Sequence, residues 1–171
     1  MRITKQVYLF FGYFLGTMLL LVAIVLLFLS RSFTPKIRGA DSIASLEKIR
    51  LGGIEQIVLI RSKDVSNPIL LFLHGGPGSP LMPFAHVSDR ELEKEFIVVH
   101  WDQRGAGKSY SKNTNPANLT IEHYLSDTHE LIRYLCERFG KEKVFLLGHS
   151  WGSYLGIMTT HRHPELLHAY I

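Results

Sequence analysis

Apolar residues first occur as one long uninterrupted run near the N-terminus. From Val7 to Leu29 no residue is charged and nearly all are apolar. A helix of this length rises roughly 34 Å, which is enough to cross a bilayer. A signal peptide has a shorter apolar region of about 7–15 residues before a small-residue cleavage site, whereas this run ends in Leu29-Ser30-Arg31. We therefore predict an uncleaved, single-pass transmembrane anchor over residues 1–30, with residues 7–29 in the membrane.

The charges that flank this run do not assign it an orientation. Arg2 and Lys5 precede it, and Arg31, Lys36 and Arg38 follow it. The positive-inside rule compares the two flanks, and here it finds no decisive bias. The sequence thus predicts a membrane location without a side.

After the apolar run the pattern changes to that of a folded domain. Residues 31–45 contain a proline and a glycine as structure breakers, and we predict that they form a linker. The extended runs 46–51 and 54–60 are joined by Gly52-Gly53, which is typical of a β-hairpin. We predict a single domain that begins with this hairpin at residue 46.

Beyond the hairpin, continuous apolar runs alternate with helical patterns. We predict strands over residues 69–73, 96–100 and 144–147 and from residue 167 onward, and helices over 87–94, over 121–139 and from Ser150 to before Pro164. Thr120 fits the N-cap of the helix over 121–139, and Gly140 fits its C′ position. The alternation predicts an α/β fold with a largely parallel sheet and helices on both faces. Ligands of such sheets bind at the carboxyl ends of the strands.

Charge and cysteine content exclude several classes of function. The formal net charge is +4, and the cations are scattered among acidic residues without a basic run, so nucleic-acid binding is not predicted. The single cysteine, Cys136, excludes an intrachain disulfide and a cysteine-rich zinc site, and its apolar surroundings indicate a packing role. Because no predicted helix carries a His-Glu-x-x-His pattern, we predict no catalytic metal.

The most informative segment is Gly148-His149-Ser150-Trp151-Gly152, which follows one predicted strand and opens a predicted helix. Gly-x-Ser-x-Gly in this setting forms a nucleophile elbow, a strained turn that exposes the serine hydroxyl. Gly148 and Gly152 allow strand and helix to pass closely, where a Cβ would collide. The backbone N–H of Trp151 would then face a developing oxyanion. These features predict that Ser150 is a nucleophile.

A glycine-rich turn, His74-Gly75-Gly76-Pro77-Gly78, follows the strand predicted over 69–73. Taken alone, it is equally a tight turn or a loop that presents backbone N–H groups to an anionic oxygen. With Ser150 downstream at the same predicted sheet edge, the second interpretation is favoured.

A third segment, residues 101–109, reads Trp-Asp-Gln-Arg-Gly-Ala-Gly-Lys-Ser. Its last three residues suggest a phosphate-binding loop, but Asp102 stands where that pattern requires a glycine. We predict a supporting role instead, in which Asp102 and Arg104 pair with each other and bond the exposed backbone beside the site. A direct catalytic role is the less favoured alternative.

Together the three segments resemble the α/β-hydrolase superfamily and, within it, the prolyl aminopeptidase (proline iminopeptidase) family of serine peptidases. The resemblance runs from about residue 46 to the end. It implies an α/β-hydrolase fold that needs no cofactor and that removes an N-terminal residue, often proline, from short peptides through an acyl-enzyme. It also implies a set of site residues: Ser150 as the nucleophile, the backbone N–H groups of Gly76 and Trp151 as the oxyanion hole, and His74, Gly75, Gly78, Asp102, Arg104, Gly148 and Gly152 as supporting residues.

The triad acid and base of that family are missing from the pattern. In this fold they follow the serine in the order Asp or Glu, then His, but the 21 residues after Ser150 contain no Asp, and their one carboxylate, Glu165, lies just past Pro164. We interpret residues 46–171 as the N-terminal part of a hydrolase domain, which we expect to be inactive, or nearly so, as it stands. Two alternatives stay open: an esterase or amidase acting on small molecules, and a non-catalytic, truncated scaffold bound to a membrane.

Overall fold

The computed structural model describes residues 2–30 and 34–171. The chain divides into two units, Met1–Phe33 and Thr34–Ile171. Residues 31–33 of the predicted linker, including the flanking Arg31, lie outside the described residues.

The first unit is a single helix, α1 (Arg2–Ser30). Its segment Gln6–Ile24 has a mean hydropathy of 2.2, and none of that segment is buried. The run contains no proline, and its two glycines, Gly12 and Gly16, do not interrupt the helix. The helix is long and apolar enough to cross a membrane, although signal sequences and core helices of soluble proteins share these properties. The structure thus confirms the helix and leaves the membrane anchor a prediction.

The second unit contains six strands and four helices. The strands are β1 (Ile43–Leu51), β2 (Ile54–Ser62), β3 (Ile69–Leu73), β4 (Ile97–Asp102), β5 (Val144–Gly148) and β6 (Leu167–Tyr170), and the helices are α2 (Ala85–Ser88), α3 (Leu92–Glu95), α4 (Ile121–Phe139) and α5 (Trp151–Arg162). The strands form one sheet in the order β1-β2-β4-β3-β5-β6.

The sheet is mixed. Strand β2 pairs antiparallel with β1 and with β4, whereas the pairs β3–β4, β3–β5 and β5–β6 are parallel. The hairpin turn is made by Gly52 and Gly53, which have φ values of 53° and 79°. Two successive positive φ values are what a two-residue turn between twisted strands requires. The predicted α/β class and hairpin are therefore confirmed, and the carboxyl ends of β3, β4 and β5 meet at one edge.

Both faces of the sheet are covered. Val58 and Ile60 of β2 belong to a large buried cluster that includes residues of α4 and α5, whereas Leu59 packs with Met82 and Ala85. Because side chains alternate along a strand, these two clusters lie on opposite faces. Cys136 of α4 belongs to the large cluster and is 8% exposed, which confirms its packing role.

Most predicted boundaries lie within two residues of the observed ones, with two exceptions. Strand β1 begins at Ile43, inside the stretch predicted as a linker. The single helix predicted over residues 87–94 is wrong, because the chain forms two four-residue helices there, α2 and α3. Asp89 bonds His100 of β4 and Glu93 bonds Arg61 of β2, so this segment is attached to two strands of the sheet.

The caps of α4 agree with the sequence. The Thr120 side chain accepts a hydrogen bond from the His123 N–H at 3.4 Å, and Gly140 adopts a left-handed conformation with φ of 61°. The helix that follows Ser150 ends at Arg162, two residues before Pro164. Local chemistry therefore sets the ends of both long helices of this unit.

Candidate active site

Ser150 occupies the sharp turn between β5 and α5. Its φ and ψ are 54° and −115°, and it is the only non-glycine residue with a positive φ among those that the structure describes. The residue is exposed, and within the described part of the chain its hydroxyl forms no hydrogen bond. A strained, exposed serine at a strand–helix junction is the geometry of a nucleophile elbow.

The two glycines of the elbow stand where no side chain fits. A Cβ on Gly152 would lie 1.9 Å from the carbonyl oxygen of Leu73, and one on Gly148 would lie 2.7 Å from the carbonyl oxygen of Gly152. Real Cβ atoms do not approach oxygen so closely. The close passage predicted for these glycines is therefore present, and it packs the start of α5 against the end of β3.

The glycine-rich turn after β3 lies against the elbow. A Cβ on Gly75 would lie 3.2 Å from the Cβ of Ser150 and 3.0 Å from Nδ1 of His149. The turn is closed by a hydrogen bond from the Ser79 N–H to the Gly75 carbonyl at 3.1 Å. Gly76 and Gly78 both have positive φ values, 115° and 105°. The structure thus brings together two segments that are 75 positions apart in sequence (residues 75 and 150).

Two backbone donors near Ser150 are unused. Among the hydrogen bonds of the described residues, none is donated by the backbone N–H of Gly76 or of Trp151. Trp151 is the first residue of α5, where the N–H groups have no partner inside the helix. An oxyanion hole requires unpaired N–H groups of this kind, aimed at the reacting carbonyl oxygen. Their distances to a bound oxyanion, and hence their roles, remain predictions.

His74 is a structural residue, because both of its ring nitrogens are engaged. It is 2% exposed; Nε2 accepts the Gln103 backbone N–H at 3.2 Å, and Nδ1 lies 2.8 Å from the Gly75 carbonyl oxygen. An acceptor at Nε2 and a donor at Nδ1 define the neutral tautomer. Burial lowers the pKa of His74 below its ordinary value, which agrees with that tautomer. This histidine holds the start of the glycine-rich turn and has no free nitrogen for proton transfer.

Asp102 also supports the backbone. Its Oδ2 accepts the Lys108 N–H at 2.7 Å, and a Cβ on Gly107 would lie 2.3 Å from the same oxygen. The carboxyl is 2% exposed, and burial raises its pKa despite the bond from Lys108. Asp102 therefore folds the turn at residues 107–109 back onto the end of β4.

The predicted pairing of Asp102 with Arg104 is wrong. Arg104 pairs instead with Asp127 of α4, through Nε–Oδ2 and Nη2–Oδ1 contacts of 2.6 Å each, and its Nη1 donates to the Asn118 carbonyl at 3.0 Å. Asp127 is fully buried and also accepts a bond from Gln56 at 2.6 Å. Arg104 and Asp127 form a bidentate, charge-assisted pair, whereas Oδ2 of Asp102 accepts the Lys108 N–H.

Sequence reasoning missed Asp127 and Gln103. A signal for Asp127 existed, because it stands on the face of α4 that buries Tyr124 and Leu131, and a charge on an apolar stripe indicates a buried partner. Gln103 carries no such signal, since it follows a strand and precedes a loop.

Other buried acidic groups of the domain have protein partners. Asp89 lies 2.6 Å from Nε2 of His100, and Glu93 lies 2.5 Å from Nε of Arg61. Burial opposes ionisation of Asp89, but the bonds from His100 and Ser88 hold its pKa below the ordinary value. In the described ranges, 2–30 and 34–171, no group of three or more His, Cys, Asp or Glu side chains could hold a metal ion.

A family model described as alpha/beta hydrolase fold matches residues 68–171, the range that contains all three site segments. The chain belongs to the alpha/beta hydrolase fold family.

Similar proteins of this family include peptidases by name. The chain is 44% identical over 129 residues to the probable aminopeptidase YbaC of Bacillus subtilis, which covers 75% of this chain and 41% of that protein. It is 35% identical over 109 residues to a proline iminopeptidase of Saccharolobus solfataricus, covering 62% of this chain and 33% of that protein. The chain therefore spans well under half the length of these two relatives.

Solved structures of the family superpose on the same part of the chain. A proline iminopeptidase-related protein of Thermus thermophilus gives a TM-score of 0.61 at 28% identity and covers 72% of this chain and 42% of its own. An epoxide hydrolase of Vigna radiata gives 0.62 at 28% identity, with 74% and 38% covered. Members of this alpha/beta hydrolase family with differently named activities thus share the fold seen here.

Proposed function

We propose that this protein is a serine hydrolase whose nucleophile is Ser150, and that it is an aminopeptidase. The observation that supports this most strongly is the strained, exposed Ser150 with Gly75 packed beside it. Strain of about 1–3 kcal/mol at one residue persists only where the surrounding structure enforces it, and it clusters at functional sites. The free N–H groups of Gly76 and Trp151 supply the second requirement, a place for negative charge.

In the proposed reaction, Oγ of Ser150 attacks the carbonyl carbon of the scissile bond while its proton passes to a histidine base. The carbonyl oxygen becomes an oxyanion that accepts hydrogen bonds from the N–H groups of Gly76 and Trp151. The C–N bond then breaks, and the amine leaves with the proton returned by the histidine. Water attacks the acyl ester on Ser150, which releases the acid and restores the hydroxyl.

The base and acid are proposed to lie outside these 171 residues. His74 has no free nitrogen, and the stretch from Trp151 to Ile171 contains no Asp. In the alpha/beta hydrolase family the acid and then the histidine follow the nucleophile along the chain. We therefore propose that the complete gene product supplies both from later strand ends.

The proposed substrate is a short peptide from which an N-terminal residue, often proline, is released. This follows the names of the relatives, the probable aminopeptidase of B. subtilis and the proline iminopeptidase of S. solfataricus. The reaction needs no cofactor, because serine, histidine and backbone donors suffice for acyl transfer.

A second candidate is a hydrolase that acts on an ester, amide or other small molecule. The structural likeness to an epoxide hydrolase at a TM-score of 0.62 favours it, because the same strands carry a different activity there. Fold alone does not decide between these substrates.

We further propose that α1 anchors the enzyme in a membrane as a single-pass helix. Its apolar segment, Gln6–Ile24, has the length and hydropathy that a bilayer crossing needs. The side on which the hydrolase domain lies is not assigned. A non-catalytic, membrane-bound scaffold is the competing interpretation.

The test uses the complete gene product and its Ser150→Ala variant. A fluorophosphonate probe should label the wild-type protein and leave the variant unlabelled, since the probe reports an activated serine. The labelled protein should then release naphthylamine from proline naphthylamide faster than it hydrolyses a short acyl ester.

Each outcome decides between the candidates. Labelling with a preference for the ester supports the second candidate and overturns the aminopeptidase. A folded wild-type protein that the probe does not label supports the non-catalytic scaffold and overturns both enzymes.

A further inference from the structure

Gln103 touches both sides of the candidate oxyanion hole. Its side-chain amide donates to the carbonyl oxygen of His74 at 3.2 Å, and its side-chain oxygen accepts the indole N–H of Trp151 at 3.1 Å. Its backbone N–H donates to Nε2 of His74, also at 3.2 Å. Three hydrogen bonds from one residue thus reach the start of the glycine-rich turn and the first residue of α5.

Gln103 is buried, so water cannot replace its protein partners in these hydrogen bonds. Its exposed fraction is 0%, so water does not compete for the amide. An indole N–H can only donate, and a backbone carbonyl can only accept. Only a side chain that accepts at one atom and donates at the next satisfies both partners, and a side-chain amide does so. Glutamate would present a second acceptor to the His74 carbonyl, and leucine would leave both partners unsatisfied.

We propose that Gln103 is a positioning residue that sets the separation of the two oxyanion-hole donors, the N–H groups of Gly76 and Trp151. This inference rests on the proposed function of Ser150. Gln103 does not touch substrate. It acts by joining His74, two residues before Gly76, to the side chain of Trp151 itself. No other residue in the described part of the chain bonds both segments through its side chain.

The expected consequence is catalytic and not only structural. An oxyanion hole works because its donors are fixed before charge develops. Loss of one donor in such a site costs about 100–1000-fold in kcat, so loosening both donors should cost about 10–100-fold. Because the donors are aimed at charge that develops only in the transition state, KM should change far less than kcat.

Gln56 provides a matched control. It is also a fully buried glutamine that accepts an indole N–H, that of Trp101 at 2.9 Å, and donates to an acceptor, Asp127, at 2.6 Å. Among the described residues it forms hydrogen bonds with neither His74 nor Trp151. Gln56→Leu should therefore lower the Tm at least as much as Gln103→Leu, without a comparable change in kcat.

The experiment compares Gln103→Leu, Gln103→Glu and Gln56→Leu in the complete gene product. It measures the rate of fluorophosphonate labelling of Ser150, kcat and KM, and the hydrogen–deuterium exchange of segments 74–79 and 149–153. Both Gln103 variants should label at least about tenfold more slowly, with KM within about threefold. Exchange should accelerate in those two segments, whereas Gln56→Leu should leave labelling within about threefold of wild type.

The outcomes separate the inference from the proposed function. Slow labelling by Gln103→Leu and Gln56→Leu alike, or unchanged exchange in both segments, overturns the positioning role. A wild-type protein that is not labelled overturns the proposed function, and the exchange measurement still decides whether Gln103 joins the two segments. If Gln103→Leu does not fold, the same comparison is made with Gln103→Glu, which keeps the acceptor for the Trp151 indole N–H.

Discussion

The backbone of Gly152 packs directly against the backbone of Leu73. A Cβ on Gly152 would lie 1.9 Å from the carbonyl oxygen of Leu73 and 2.9 Å from that of His74. The Leu73 oxygen also accepts the His149 N–H at 3.1 Å. The end of β3 and the start of α5 therefore have no freedom to separate without breaking the support of the elbow.

We expect Gly152→Ala to destabilise the protein by more than about 3 kcal/mol, since overpacking against a rigid backbone oxygen cannot be relieved by a rotamer change. The control is Gly140→Ala. Gly140 caps the C-terminus of α4, and a Cβ added there would meet nothing within 4 Å. The only cost of Gly140→Ala should therefore be that of placing alanine at a left-handed φ, about 1 kcal/mol. Thermal unfolding of both variants checks this, and equal losses would contradict it.

Ser150→Gly should stabilise the folded state while abolishing activity. The φ of 54° and ψ of −115° are costly for serine and permitted for glycine. After the greater flexibility of unfolded glycine is subtracted, we expect a gain of about 0.5–2 kcal/mol. Ser150→Ala should lose activity without that gain. Denaturant midpoints of the three proteins measure the difference, and a less stable Ser150→Gly would show that the serine is not strained.

The pH dependence of stability should contain a contribution from His74. Burial holds its folded pKa below the ordinary value of 6.5. Its contribution is therefore present above that value and is lost as the pH falls below it, because only the unfolded chain then gains the proton. We expect His74→Leu to be less stable than wild type by about 1–3 kcal/mol at pH 7.5, since two bonding partners are left unsatisfied. The gap should narrow at pH 5.5. The control is His161→Leu, because His161 is exposed. A difference in stability between wild type and His74→Leu that grows at low pH would contradict the prediction.

The buried pair of Arg104 and Asp127 should be strongly coupled. Their side chains are 1% and 0% exposed, so removal of either leaves an uncompensated charge. We expect Asp127→Leu or Arg104→Met to cost about 3–5 kcal/mol, and the double variant to cost clearly less than the sum. Glu122→Gln, which breaks the surface pair with Arg162, should barely change the Tm. Additive losses at the buried pair would show that the two side chains act independently.

The helix α1 should carry the protein to membranes. The complete protein should sediment with membranes and resist extraction by alkaline carbonate. Leu15→Arg with Leu19→Arg should release it, because each arginine at the centre of a span costs about 2.5–3.5 kcal/mol. Tyr110→Arg in the second unit is the control for added charge. A mature protein that lacks α1 would instead identify the segment as a cleaved signal sequence.

Most of the fold could be predicted from the sequence, because its helices, strands and turns are specified by residues close together in the chain. The Gly52-Gly53 turn, the cap at Thr120 and the left-handed Gly140 each depend on neighbours within a few positions. The elbow is also local in this sense, since glycines two positions on either side of Ser150 mark it. These features were predicted correctly, because their chemistry is contained in short windows of sequence.

The contacts that stabilise the site were harder to predict, because they join distant segments. Arg104 bonds Asp127 across 23 positions, and Gln103 joins His74 to Trp151. Which acid an arginine meets depends on how α4 docks on the sheet. Asp102 was the wrong partner to expect for Arg104, although the two are close in sequence. Asp102 ends β4 and Arg104 lies in the loop that follows, so their side chains point to different neighbours.

The support of the elbow has a consequence for the order of folding. Gly148 donates to the carbonyl of Ile171 at 3.0 Å and His149 donates to that of Leu73 at 3.1 Å, so the turn is held by the residue that follows β6 and by the end of β3. Contacts between segments far apart in sequence form only after a long loop has been closed, which costs conformational entropy. We therefore expect the strained turn at Ser150 to form only once these segments have met, so that a nascent or partly unfolded chain lacks it.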